Sequence, residues 1–292
     1  MKIAFIVNPI AGKNRKKDIT PFIKSELDKT NYEYTIIYTK GINHASVITK
    51  EYIDKKYGII VAVGGDGTVR EVASGISYKN KGILGIIPMG TGNDLARTLN
   101  IPLDIKESIK RIVKRKIKEI NIGISQDNIF LNVASIGFDA EIVENTKVFK
   151  GFLKGKVAYT MGILRTLFTF KSKNIKIEYD GIKRDENILL VAVANGRFYG
   201  GGMKICPKAD ITDNQLDVCI IKNIAKFKLL FLFPSVYNGK HGKYDKYVEF
   251  IRVSSLKIYS KNEIVLNVDG DILKTNGLID FNLDIKKLNI IV

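Results

Sequence analysis

Ile59-Ile60-Val61-Ala62-Val63-Gly64-Gly65-Asp66-Gly67-Thr68 is the stretch that decides the fold. Five consecutive apolar residues have the length and texture of a strand buried on both faces, and the glycine pair closes it. Val69 to Ile76 then reads as a helix. The same scheme recurs on either side. Ile3 to Val7 ends at Asn8-Pro9-Ile10-Ala11-Gly12-Lys13 and precedes a helix-compatible Ile19 to Leu27. Tyr34 to Tyr38 precedes a helix over His44 to Tyr52, and Ile83 to Ile87 precedes one over Asp94 to Leu99. Short apolar strands alternating with helices predict a parallel sheet with helices on both faces.

Beyond about Gly123 the texture changes. Ile129 to Ala134, Ile175 to Tyr179, Ile188 to Ala194, Leu216 to Ile221, Glu249 to Val253, Leu256 to Tyr259, Ile264 to Val268 and Leu288 to Val292 read as strands. Only Glu141 to Phe170 and Lys226 to Tyr237 read as helices among them. That predicts an antiparallel sandwich or barrel-like second domain, so the division is 1–122 and 123–292.

Composition narrows the class. Hydrophobic residues at 45% and charged residues at 26% exclude a disordered chain. Cys206 and Cys219 can form no disulfide framework and read as buried hydrophobes in a reducing compartment. Met1-Lys2 runs straight into a strand without a signal-peptide core, and no apolar run approaches the ~20 residues a bilayer span needs. A cytoplasmic location is therefore expected. Lys+Arg 47 against Asp+Glu 30 gives +17, which admits nucleic acid, anionic lipid and phosphorylated substrates as partners. A lysine-, isoleucine- and asparagine-rich composition also inflates charge without any functional cause.

Three glycine-bearing turns follow early strands: Asn8 to Lys13, Gly64 to Thr68, and Gly90-Thr91-Gly92-Asn93-Asp94. In an open parallel sheet all lie at the carboxyl edge, where ligands bind. Glycine lets backbone N–H groups approach a phosphate, and a helix start behind the turn adds its free N–H groups. Asp66 reads as a holder of Mg²⁺ or its water shell, and Thr68 and Thr91 as hydroxyl donors. There is neither a Gly-x4-Gly-Lys-Ser/Thr loop nor a Gly-x-Gly-x-x-Gly turn after the first strand, so a nucleotide is held by another scheme.

These motifs, with Pro88 to Arg97 (PMGTGNDLAR), Asn132 to Ala140 (NVASIGFDA) and Ala194 to Val218 (ANGRFYGGGMKICPKADITDNQLDV), resemble the diacylglycerol kinase catalytic-domain family, and most closely its soluble bacterial branch. GGDGT alone is shared with NAD kinases and phosphofructokinase-like folds; its pairing with Gly90 to Asp94 (GTGND) and with the YGGGM…P…LDV segment is more specific. The resemblance spans Asn8 to at least Asp271. It implies an N-terminal Rossmann-like parallel α/β domain and a C-terminal antiparallel β-sandwich domain, with the active site in the cleft between them. It also implies a kinase that moves the γ-phosphate of ATP to diacylglycerol and yields phosphatidic acid.

Carried over by position, Asn8, Gly12, Lys13, Thr39, Gly64, Gly65, Asp66, Gly67, Thr68, Val69, Arg70 and Thr91 would bind ATP, and Asn93 and Asp94 would shape the acceptor side. Asp66 and Asp94 are also candidates for direct catalysis, and Asp94 reads equally as a first-turn acid favouring its helix dipole. In Asn267-Val268-Asp269-Gly270-Asp271 the family has Asp-Gly-Glu, so Asp271 stands where the general base is expected, and Asp269 is a second candidate. Read alone, Asp269-Gly270 is a hairpin turn. A structural Mg²⁺ would be held by the Asp213 carboxylate with the carbonyls of Asp210 and Gln215; the alternative is a solvated acidic turn.

The acceptor implies a membrane-resident lipid at an anionic surface, reached by peripheral association with the inner face. Lys147 to Lys173 mixes phenylalanines with lysines, including Phe149, Phe152, Lys150, Lys154 and Lys156, and reads either as an interfacial helix or as a core helix with solvated lysines. The sandwich strands permit a homodimer. His44 is expected near Thr39, and His241, in Gly-Lys-His-Gly, exposed. Kinases of a sphingoid base, phosphatidylglycerol, an isoprenoid alcohol or a soluble metabolite are alternatives. A nucleic-acid module would leave the three turns without purpose, and its aromatics show no recognition spacing, so no nucleic-acid partner is expected.

Overall fold

The computed structural model describes residues 1–12, 18–162, 165–166 and 169–292, apart from 151–160 and the side chains of 143, 144, 147, 149 and 150. The chain divides into two compact units, Met1–Ile122 with Asp284–Val292, and Gly123–Leu283.

The first unit alternates as its sequence pattern requires: β1 (Lys2–Val7), α1 (Thr20–Leu27), β2 (Glu33–Tyr38), α2 (His44–Asp54), β3 (Ile59–Gly64), α3 (Asp66–Lys79), β4 (Ile83–Pro88), α4 (Asp94–Thr98), α5 (Ile105–Lys114) and β5 (Ile117–Ile120). β1 to β4 are parallel, in the order β2-β1-β3-β4. β3 is buried at every position, as expected for a central strand covered on both faces. Ile3, Phe5, Val61, Val63 and Ile87 meet Ile23 and Leu27 of α1 and Ile109 and Ile112 of α5 in one core.

The carboxyl end of the chain departs from expectation. Leu288 to Val292 was assigned above to the second domain, yet β15 (Leu288–Ile291) inserts into the first sheet, parallel to β4 and antiparallel to β5. Its apolar alternation is satisfied there, with Ile290 fully buried and Ile291 packed in the same core as Ile109. A strand pattern states that a segment pairs, and carries no information on which sheet receives it. α5 is capped by Asp104, whose side chain accepts from the Glu107 N–H.

The second unit comprises β6 (Gly123–Ser125), β7 (Asn128–Phe130), β8 (Val133–Gly137), α6 (Phe138–Lys150), β9 (Lys173–Tyr179), β10 (Ile182–Ala194), β11 (Leu216–Lys222), α7 (Lys226–Tyr237), β12 (Val248–Val253), β13 (Ser255–Val268) and β14 (Asp271–Leu283). The strands pair antiparallel in the order β12-β11-β10-β8-β13-β14-β6-β7, and β9 joins the far parts of β10 and β13, so the sheet curls toward a sandwich. Both faces are covered. Val191 and Val193 of β10 face one core while Leu190, Ala192 and Ala194 face the other, where α7 contributes Leu229, Leu232 and Val236. This double burial explains the unbroken apolar run from Ile188 to Ala194.

Three readings are corrected. Ile129 to Ala134 is two strands, β7 and β8, separated at Leu131-Asn132. Leu256 to Tyr259 and Ile264 to Val268 are one strand with a register shift between Ser260 and Ile264. β14, over Asp271–Leu283, had no counterpart in the sequence reading. In Lys147 to Lys173, Phe149, Phe152, Lys150, Lys154 and Lys156 lie outside what the structure describes; Phe170 is buried and stacks edge-on against Phe138 in the core.

Candidate functional site

Parallel register brings the ends of four strands to one edge. Val7 pairs with Tyr38 and Val63, and Gly64 with Pro88. The residues that follow are tied across the gaps: Asn8 N–H donates to Val63 O at 3.0 Å, Thr39 N–H to Val7 O at 2.8 Å and Met89 N–H to Gly64 O at 2.8 Å. Asn8, Thr39, Gly65 and Met89 therefore leave the sheet side by side.

The GGDGT segment is partly helix. α3 begins at Asp66, with Gly65 in extended conformation as its N-cap, so Asp66, Gly67 and Thr68 form its first turn. N–H groups of a first turn have no partner within the helix and carry the positive end of its dipole. Thr68 is buried and its Oγ1 accepts from Asn8 Nδ2 at 3.0 Å, which orients its own O–H outward from that bond. Gly64 has no room for a side chain: a Cβ would stand 2.5 Å from Thr68 Oγ1.

Two glycine turns touch back to back. A Cβ on Gly90 would lie 2.4 Å from Gly65 Cα and 2.9 Å from Asn93 Oδ1. Asn93, in left-handed conformation, accepts from Gly90 N–H at 2.8 Å and donates through Nδ2 to Gly90 O at 2.9 Å. Asp66 fastens the same turns: Asn93 N–H donates to its Oδ2 at 2.8 Å and Asp94 N–H to its Oδ1 at 2.7 Å. Burial pushes the Asp66 carboxyl above the usual range, opposed by these N–H bonds. Its two oxygens are thus engaged by the α4 N-terminus, and direct coordination of Mg²⁺ by Asp66 does not fit this arrangement. Asp66 is a clamp between turns. Gly90→Ala is expected to part them, costing about 1–3 kcal/mol as an overpacked site does and weakening ATP binding; urea unfolding and an ATP titration measure both. An unchanged urea midpoint would show that the turns separate freely.

The other expected nucleotide residues divide. Gly12 takes a positive φ of 67°, and Thr91 is exposed on the third turn. Lys13 lies outside the described residues. Val69 is a correction, because its side chain is buried and its N–H donates to Gly65 O at 3.1 Å within the helix. Arg70 is half-buried in the next position, and Asp94 is 6% exposed at the start of α4. His44 accepts the Lys40 N–H through Nδ1 at 2.9 Å, holding the bend after Thr39. Glu71 was missed in the sequence: its carboxylate accepts the N–H groups of Asn43 at 2.9 Å and Ala45 at 3.0 Å, anchoring that bend from α3. A glutamate one turn into a helix gives no sequence signal of this role.

In the second unit, Asp269 and Gly270 are the central residues of the β13–β14 hairpin, with φ of 46° and 96°, and Val268 pairs with Asp271 across it. Positive φ at both positions is the tight-hairpin signature. The Asp269 carboxylate accepts the N–H groups of Leu131 at 2.6 Å, Asn132 at 3.1 Å and Val133 at 2.9 Å. Its oxygens are committed to backbone, so the shared base role expected of it is corrected to that of an anchor. Asp271, by contrast, is exposed at the first residue of β14. Asn267 Oδ1 accepts Gly270 N–H at 2.8 Å, and behind it lies buried Asp139, bonded by the Ser135 hydroxyl. Desolvation raises the Asp139 carboxyl to about 6, against hydrogen bonds from Ser135, the Ala140 N–H and Asn267.

The proposed cation loop is also altered. Asp213 Oδ1 accepts Gln215 N–H at 3.0 Å while Oδ2 is bonded by the Arg252 guanidinium, and Asp210 Oδ1 accepts from Thr212 N–H and Oγ1 at 3.0 and 2.7 Å. Burial, with Asp213 and Asp210 nearby, raises Asp217 to about 6 against the pull of Arg252. No set of three or more metal-binding side chains closes among the described residues. In this arrangement the Asp213 carboxylate is shared between the Gln215 N–H and the Arg252 guanidinium. His241, expected exposed, is buried; its Nε2 lies 2.9 Å from Ile205 O, and burial lowers its pKa.

Comparisons with known proteins agree with this construction. Residues 2–124 match the model of the diacylglycerol kinase catalytic domain, and residues 132–284 that of the YegS C-terminal NAD kinase beta sandwich-like domain. Diacylglycerol kinase of Staphylococcus saprophyticus is 30% identical over 91% of this chain and 87% of its own length, and that of Staphylococcus aureus strain MRSA252 is 30% identical over 91% and 84%. A crystal structure of a diacylglycerol kinase from Bacillus anthracis superposes over 99% of this chain and 96% of that one, at TM-score 0.75 and 25% identity. An NAD kinase from Archaeoglobus fulgidus in complex with ATP shares the fold, at TM-score 0.56 and 13% identity. With whole-chain likeness and both domain models in the expected order, this chain belongs to the diacylglycerol kinase family.

Proposed function

We propose that this protein is an ATP-dependent kinase that phosphorylates the free hydroxyl of diacylglycerol to give phosphatidic acid. The observation that carries the reading is the clamped edge of the first sheet. Two glycine turns in backbone contact, a buried Thr68 fixed by Asn8 and the open first turn of α3 make a rigid donor-rich surface for a triphosphate. Donors held this way need no reorganisation as charge develops on the transferring phosphoryl group, which is where phosphoryl-transfer catalysis is made. Mg²⁺ bound with the nucleotide would supply charge neutralisation, held chiefly by the phosphates. Asn8, Thr39, Gly65, Gly67, Thr68 and Thr91 are assigned to the nucleotide, and Asp271 to the acceptor hydroxyl, whose proton it takes as the oxygen attacks.

Diacylglycerol is favoured over a soluble acceptor by the family of the chain's relatives. The purified chain, given radiolabelled ATP, magnesium and mixed micelles carrying diacylglycerol, a sphingoid base, phosphatidylglycerol or an isoprenoid alcohol, should label phosphatidic acid far above the other products. Labelling of NAD in a parallel reaction, with no lipid product, would overturn the assignment.

A further inference from the structure

Beyond the two lysines of its first turn and Ser235, α7 is apolar, reading Lys226-Phe227-Lys228-Leu229-Leu230-Phe231-Leu232-Phe233-Pro234-Ser235-Val236-Tyr237. A helix of that character in a globular protein is normally enclosed. Here only one side is: Leu229, Leu232 and Val236 are buried against the sheet. Phe227 is 62% exposed, Leu230 55% and Phe231 69%. With exposed Pro234 they stand at positions i, i+3, i+4 and i+7, one continuous stripe on the side away from the core. Large contiguous apolar faces on soluble proteins mark contact sites.

The surroundings say what covers it. Between Lys222 and Val248 the sequence holds six lysines, at 222, 226, 228, 240, 243 and 246, against a single acid, Asp245. Lys228 reaches Tyr247 Oη at 2.9 Å, so its charge stays beside the stripe. A protein partner would match such a face with apolar side chains. An anionic bilayer matches the apolar stripe with acyl chains and the lysine belt with headgroups at once. No helix among the described residues is long and apolar enough to cross a membrane, and the acceptor favoured above resides in one. We propose that the Phe227–Leu230–Phe231 face of α7 is a docking surface for an anionic membrane, an inference that rests on the lipid-kinase reading for its purpose but stands on the geometry of this helix.

The chain contains no tryptophan, so Phe231→Trp places the sole indole on the stripe with little change of shape. Adding vesicles of phosphatidylcholine with phosphatidylglycerol to the full chain should shift its emission to the blue. Pure phosphatidylcholine, or high salt, should weaken the shift. In the wild-type background Phe227→Ser/Leu230→Ser/Phe231→Ser should lower vesicle partitioning roughly 100-fold and leave phosphorylation of a monomeric short-chain diacylglycerol unchanged. The proposal is overturned if the Trp variant pellets with vesicles without a spectral shift, since binding then uses another surface. It is equally overturned if the triple variant partitions like the wild type, or loses only a dimer seen by sedimentation. Vesicle binding with the shift but no lipid phosphorylation would refute the kinase reading and leave the docking surface standing.

Discussion

Asp271→Asn is expected to lower the turnover of diacylglycerol phosphorylation by roughly a thousandfold, the middle of the range for loss of a positioned general base, while ATP affinity stays at the wild-type value. The asparagine keeps the shape and one acceptor oxygen but cannot take a proton. The contrast with Asp269, two residues earlier, makes this expectation specific. Asp269 spends its carboxylate on three consecutive backbone N–H groups, and taking up a proton there would dismantle the β7–β8 connection it holds. Asp269→Ala should therefore act on stability, leaving three donors without their acceptor at a cost of about 1–3 kcal/mol or more. Asp271 is exposed, opens β14 and is held in register by its pairing with Val268, so its substitution leaves the hairpin closed. Single-turnover phosphate transfer at saturating ATP separates the two, alongside urea unfolding of each variant. Asp271→Glu, with the longer carboxylate that the family resemblance assigns to this position, should retain activity. Full turnover by Asp271→Asn would remove Asp271 as the base, and an unaltered urea midpoint for Asp269→Ala would remove the anchor.

These two acids show where sequence stops. The pattern Asp-Gly-Asp locates a tight turn after an apolar strand and offers two carboxylates, but which of them faces backbone depends on Leu131-Asn132-Val133, more than a hundred residues earlier. Asp66 teaches the same lesson. An acid between glycines at a strand end invites a metal, and its oxygens instead accept N–H groups from Asn93 and Asp94. β1, β3 and β4 were legible because each is a short apolar run buried on both sides, and their parallel pairing followed from the intervening helices; β5, Ile117-Lys118-Glu119-Ile120 and mostly exposed, offered no such run. β14 was not legible: Asp271, Lys274, Asn276, Gly277 and Leu278 are exposed, so its first half is held by pairing along β13 and shows no apolar run, while burial sets in at Ile279 and Phe281. α5 carried a readable signal in Asp104 followed by Ile105, Ile109 and Ile112, which the sequence reading passed over. His241 looked solvated between two glycines and is enclosed because Ile205 O and the Phe250 ring receive it.

Asp139→Asn is expected to flatten the dependence of stability on pH by roughly 3 kcal/mol between about pH 4 and pH 7. The cause is visible in the second unit. Asp139 follows β8 directly, is buried, and receives the Ser135 hydroxyl, while Ser135 lies opposite Asn267 in the β8–β13 pairing. Those hydrogen bonds favour the charged form but do not offset the loss of water, so the carboxyl sits at about 6. In the unfolded chain the same group titrates near 3.9. Between these values the folded protein retains a proton that the unfolded chain has released, so the wild type loses stability as pH rises from about 4 and reaches a plateau above about 6. Asparagine carries no such proton. The stability of Asp139→Asn relative to wild type should accordingly improve across that interval and stay constant above it, a comparison in which Asp217, also raised to about 6, cancels because both chains contain it. Urea midpoints of the two proteins at pH 4, 5, 6 and 7 measure the gap, and parallel curves would mean that Asp139 is not desolvated as described. The consequence reaches the hairpin, because Asn267 both serves Asp139 and accepts the Gly270 N–H beside Asp271. Through Asn267 the Asp139 carboxyl is expected to aim that turn, and a fall in the turnover of Asp139→Asn at pH 7 without a fall in stability would be the signature of that role.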